Sequence, residues 1–140
     1  MAVNSKRVLI GALVGGVVWN AWTFFVNAVV LKERYAEAQA ANQLLPQARY
    51  GSFPLVWTLM IFVLAWVVAS LYAAVRGTWG AGPMTALKVG VAFGFAAGFP
   101  ANFASAAWGM FSRWLPLWWT LDFFVGAVVA AVIAGWLYRD

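Results

Sequence analysis

The chain has 140 residues, 65% of them hydrophobic and 9% charged, with a formal net charge of +5 and neither Cys nor His. A soluble domain needs roughly a quarter of its residues charged, so that class is excluded, and the missing Cys together with unpatterned Gly and Pro excludes disulfide-rich and collagenous chains. What remains is an integral membrane protein whose first partner is membrane lipid.

The first apolar run, Val8 to Leu31, is 24 residues without a charge, and uncharged runs of about 18 or more read as membrane spans. Met1 to Arg7 in front of it resembles the start of a secretory signal, but a signal core is only about 7 to 15 residues. The run is therefore expected to stay as an uncleaved first helix. Asn20, Thr23 and Asn27 recur at spacings of three and four, which places a polar stripe on one face of that helix. Gly11 and Gly15, one turn apart, form a packing stripe that must face another helix, within the bundle or across an oligomer interface.

Residues 32–52 are the main extramembrane piece. Their Ala, Glu and Gln content predicts that the first helix continues outward until Pro46 stops it. Tyr35, Ala38, Asn42 and Leu45 then share a face that lies on the membrane surface or on the bundle. Glu33 and Glu37 are four apart, but without a third ligand a solvated face outweighs a cation site.

Three further spans are expected at Phe53 to Val75, Met84 to Phe111 and Leu115 to Tyr138, each long enough for a hydrocarbon core of ~30 Å. The fold class is an all-α integral membrane protein, four transmembrane helices in a bundle forming one domain over residues 1–140. Helix-length runs exclude a β-barrel of alternating ten-residue strands. Gly90, Gly94 and Gly98 give the third span a small-residue stripe like that of the first. Most of the ten Trp residues suit membrane interfaces, Trp57, Trp114, Trp118 and Trp119 on one side and Trp79 and Trp136 on the other. Trp19, Trp22, Trp66 and Trp108 lie deeper and read as packing anchors.

The second and fourth spans are alike. Pro54-Leu55-Val56-Trp57-Thr58-Leu59-Met60 aligns with Pro116-Leu117-Trp118-Trp119-Thr120-Leu121-Asp122, and over 17 positions at an offset of 62 ten residues are identical. This predicts a two-plus-two parallel internal repeat, against convergence on a good interfacial helix start.

Asp122 stands out, because an acid inside a span is expensive and marks function by default. With the N-terminus inside, Asn20, Thr23, Asn27, Thr58, Asn102, Ser105 and Asp122 form a candidate intramembrane polar cluster, the last five in the outer half of the membrane. Pro100 is expected to free a backbone acceptor and kink the third span beside it. The cluster has two readings, a polar cavity or conduction path charged by Asp122, or hydrogen-bonded glue in which Asp122 pairs with Arg113 or reaches for the interface.

Other chemistry is poorly provided for. Without His or Cys, no haem, zinc or iron-sulfur site of the usual kind and no Ser-His or Cys-His nucleophile can be assembled, and the four carboxylates Glu33, Glu37, Asp122 and Asp140 are scattered. No cofactor, no metal and no enzymatic activity are expected. The basic residues Lys6, Arg7, Lys32, Arg34, Arg49, Arg76, Lys88, Arg113 and Arg139 flank the apolar runs and form no nucleic-acid face. Lys6 and Arg7 before the first span favour cytoplasmic termini.

The first helix with its polar stripe, the hydrophilic first loop and the Trp114-Leu115-Pro116-Leu117-Trp118-Trp119-Thr120-Leu121-Asp122 start of the last span resemble the small four-span proteins of the DUF1761 family. That resemblance implies a bacterial inner membrane and implies no activity. Three functions stay open. The first is a non-enzymatic protein that self-associates or serves as an accessory subunit of a larger complex. The second is a small channel, transporter or proton-coupled carrier around Asp122. The third is a binder of an apolar ligand such as a lipid, quinone or pigment.

Overall fold

Helix α1 (Ser5–Phe25) starts the bundle in the computed structural model, which describes residues 3–138. Met1, Arg139 and Asp140, assigned above to the leader, the flanks and the carboxylates, lie outside the described residues. The Asn4 side chain caps α1 by accepting from the Arg7 N–H at 3.2 Å, and the Asn4 N–H donates to the Tyr138 hydroxyl at 2.7 Å, which ties the two ends of the chain together.

Helix α1 runs through one π-helical turn, Val26–Val30, into α2 (Lys32–Ala40). Helix α2 stops well before Pro46. The cause is Asn42, whose left-handed backbone (φ +56°) reverses the chain while its N–H donates to the Gln39 carbonyl. Gln39 then donates to the carbonyls of Leu45 and Pro46, folding the loop back against α2. Tyr35 and Ala38 pack against the bundle, whereas Asn42 and Leu45 lie beyond the helix end and do not continue their face.

The remaining helices are α3 (Phe53–Trp79), α4 (Pro83–Trp108) and α5 (Trp114–Leu137). Pro54 and Pro83 occupy the first turns of α3 and α4, where no N–H is needed. Between α3 and α4 the chain turns through Gly80 and Gly82, both at positive φ, and the Gly82 N–H donates to the Tyr72 hydroxyl. Helix α4 runs unbroken through Pro100 and ends at Trp108, short of Phe111, because the Gly109 N–H closes the last turn on Ser105 and the chain then extends.

Helices α1, α3, α4 and α5 are long and apolar enough to cross a membrane, and the protein is a polytopic membrane protein. Helix α5 packs against the other three, with α1 also on α3. Contact faces carry small residues: Ala65 and Ala69 of α3, and Ala127, Ala130, Ala131 and Ala134 of α5. Large side chains such as Leu9, Phe24, Leu55 and Phe103 face outward, the arrangement expected where lipid is the solvent. The glycine stripes lie inside the bundle. Gly11 and Gly15 meet Ala134 and Ala130, while Gly90, Gly94 and Gly98 meet Val128, Phe124 and Phe123, all on α5.

Two of the four deeper tryptophans are packing anchors: Trp19 is 0% exposed with its indole against Gly126, and Trp22 is half-buried. Trp66 (51% exposed) and Trp108 (90%) correct the expectation, since they sit on the outer surface of their helices.

Gly77, in the last turns of α3, has nothing near the position of a Cβ. Gly77→Ala is therefore expected to raise stability by about 0.5–1 kcal/mol through helix propensity alone, as read by thermal unfolding in detergent. A loss of stability would reveal a contact at this position.

Candidate functional site

The polar residues of α1 meet those of α5 at the end of the bundle that carries the 41–52 loop. Asp122 is two turns into α5, about 12 Å from the helix start at ~1.5 Å per residue, and only 3% exposed. Thr23 donates its hydroxyl to Asp122 Oδ1 at 2.7 Å, and Asn27 donates its amide to Asp122 Oδ2 at 3.2 Å and to the Thr23 carbonyl at 2.9 Å. Thus each carboxylate oxygen receives one neutral donor. Asp122 does not pair with Arg113, and among the described residues the ion pair is Arg34 with Glu37.

Two further residues complete the network. The Tyr35 hydroxyl donates to Asn27 Oδ1 at 2.5 Å and accepts from the Trp119 indole N–H at 2.7 Å, with the Tyr35 and Trp119 rings stacked. The order of donation is Trp119 to Tyr35, Tyr35 to Asn27, and Asn27 to Asp122, with Thr23 on the other oxygen. Burial pushes the Tyr35 phenol above its ordinary pKa of 10.0, opposed by the Trp119 hydrogen bond and reinforced by the Asp122 carboxylate. Tyr35 therefore keeps its proton at neutral pH and stays a donor to Asn27.

The π turn brings Tyr35 to this place. At about 100° per residue, eight residues of uninterrupted α-helix would leave Tyr35 some 80° around the helix from Asn27. One additional residue accommodated in the π turn makes the eight count as roughly seven, and the offset falls to about 20°. Leu31 N–H to Val26 carbonyl, at 2.9 Å, is the five-residue bond that marks the turn.

The other candidates contribute less. Asn20 donates to the Gly16 carbonyl and, at 3.4 Å, to the Thr58 carbonyl, joining α1 to α3. Asn102 and Ser105 each donate to the carbonyl four residues back in α4, Gly98 and Ala101. Neither bonds to Asp122. Among the described residues no group of three His, Cys, Asp or Glu comes together for a metal.

Beside the network is a cavity of about 890 Å³, within the range of a small-molecule site. It is lined by Asp122, Asn27, Thr23 and Trp119 of the network and by Phe53, Trp57 and Phe123, with Trp57 edge-on to Phe123 at 6.0 Å. Loop residues Leu44, Leu45, Arg49 and Tyr50 also line it, and Asn20, Thr58 and Asn102 reach it from three helices. Ser105 does not. Phe24, Tyr50 and Phe53 of the lining are exposed, so part of the cavity's rim belongs to the outer surface of the bundle.

Tyr35 and Trp119 were assigned above to a loop face and to an interface belt, and the loop residues to no site. A helical wheel puts Tyr35 off the stripe, and only the π turn corrects it. No family model, curated protein or solved structure matches the chain.

Proposed function

We propose that the protein binds an amphipathic small molecule or lipid in the loop-end cavity, with the ligand's polar end at Asp122 and its apolar part along Phe53, Trp57 and Phe123. The observation that carries this reading is a sizeable, largely apolar cavity in which the aromatic side chains of Phe53, Trp57 and Phe123 share the lining with the buried Asp122. We read the role as binding, supported by a network in which Thr23 and Asn27 hold Asp122 while Tyr35 and Trp119 hold Asn27.

The alternatives have less support. A self-associating role leaned on the glycine stripes, and those are occupied by α5 of the same chain. A pore would need polar lining beyond Asp122, but Trp19, Ile61, Ala65 and Val68 fill the bundle there. A bacterial inner membrane with both termini cytoplasmic remains our reading from Lys6, Arg7 and the family resemblance, and it puts the bundle end that carries the 41–52 loop and the cavity on the outer side. We also read α3 and α5 as equivalent helices of a two-plus-two repeat, supported by the burial of Ala65, Val68, Ala69 and Tyr72 in one helix and of Ala127, Ala130, Ala131 and Ala134 in the other.

Native mass spectrometry of protein released from its own membrane into mild detergent tests the binding. The expected result is the 15.3 kDa chain carrying a small-molecule adduct that is lost in Thr58→Trp, where an indole fills the cavity from an exposed position on α3. An adduct-free wild type, or an adduct indifferent to Thr58→Trp, overturns the reading.

A further inference from the structure

Asp122 is a nearly fully buried carboxylate with neutral donors as its hydrogen-bond partners, and no Lys or Arg among the described residues forms an ion pair with it. A carboxylate has about four acceptor positions, and Thr23 and Asn27 use two. The unused positions belong to a group that lines the cavity. In a low-dielectric setting a charge of this kind is expensive unless paired, so its neutralising partner is a proton or a cation brought in from the cavity.

The surroundings favour the cation. Trp57, Trp119, Phe53 and Phe123 line the same cavity, and aromatic faces attract ammonium groups while also packing against alkyl chains. The one basic residue of the lining is Arg49, exposed in the loop, whereas Asp122 is buried within a helix. Phe24 and Phe53 of the lining are also exposed on the outer surface, which gives an alkyl tail apolar side chains to follow out of the cavity.

We infer that the ligand is an ammonium-bearing amphiphile, its positively charged nitrogen at Asp122 and its tail running along the exposed Phe24 and Phe53. This rests on the cavity reading above and adds the charge of the head group to it. Thr23 and Asn27 orient the carboxylate, and Tyr35 and Trp119 orient Asn27.

The test compares dodecylamine, protonated at pH 7, with dodecanol of the same tail, each titrated into the purified full chain in maltoside detergent and read by tryptophan fluorescence. Dodecylamine is expected to bind about tenfold or more tighter, the scale of a charge-assisted hydrogen bond. Asp122→Asn is expected to remove that advantage and leave dodecanol binding unchanged. The comparison on wild-type protein decides even if the variant fails to fold. Equal binding of the two probes, both competed by Thr58→Trp, overturns the ammonium assignment and leaves the cavity reading standing. Binding of neither probe, or binding indifferent to Thr58→Trp, overturns both.

Discussion

Gly90→Ala is expected to destabilise the bundle by about 2–3 kcal/mol, the upper part of the range for overpacking a close-packed interior. A methyl group on Gly90 would lie 2.6 Å from the Val128 Cα, 3.0 Å from the Ala131 Cβ and 3.1 Å from the Ala127 carbonyl oxygen. Two of these three atoms are backbone, so no rotamer change gives way and α4 must move off α5. Movement loosens the tightest helix pair, because Gly94 and Gly98 lie on the same stripe and meet Phe124 and Phe123. Thermal unfolding in detergent should show Gly90→Ala well below wild type and Gly77→Ala at or above it. Similar midpoints for the two variants would mean that α4 and α5 are not in this contact.

The second large effect is expected at Asn27. Asn27→Ala removes the acceptor for Tyr35 and the donor to Asp122 Oδ2 in one step. Individual interhelical hydrogen bonds in membranes average only ~0.6 kcal/mol, but stranded buried polar groups cost about 1–3 kcal/mol. The higher range applies here, because both partners lose a bond at once. The visible consequence is a freed α2. Tyr35 is the polar tie between α2 and the bundle, and α2 holds the loop through Gln39. Trypsin should cut after Arg49 several-fold faster in Asn27→Ala than in wild type. Asn20→Ala, which gives up a weak 3.4 Å bond to the Thr58 carbonyl, should cut at the wild-type rate. Equal acceleration in both would place the control of the loop elsewhere.

The spans were legible from sequence because run length is a direct reading of bilayer thickness, and Asp122 was legible because an acid is rare at that depth. Partners were not. Spacing gives the face on which Gly11 and Gly90 lie but not what faces them, and both meet α5. Asn102 and Ser105 belong to the same sequence-derived polar cluster as Asp122, yet their side chains return to their own helix backbone, a choice that spacing does not encode. Trp119 aligns with Trp57 in the repeated segment and suits a boundary position. Its bond to Tyr35 depends on α2 folding over α5. The extent of α2 was overread because the stop was assigned to Pro46, whereas an asparagine in the left-handed region ended the helix earlier.

The π turn has a torsional meaning. Upstream, α1 cannot rotate, because Gly11 and Gly15 sit against the backbone of α5 and Asn4 is tied to Tyr138. Downstream, α2 cannot rotate either, because Tyr35 is held between Asn27 and Trp119. The extra residue between them is thus a twist of about 100° locked between two clamps, and neither half can release it while the other holds.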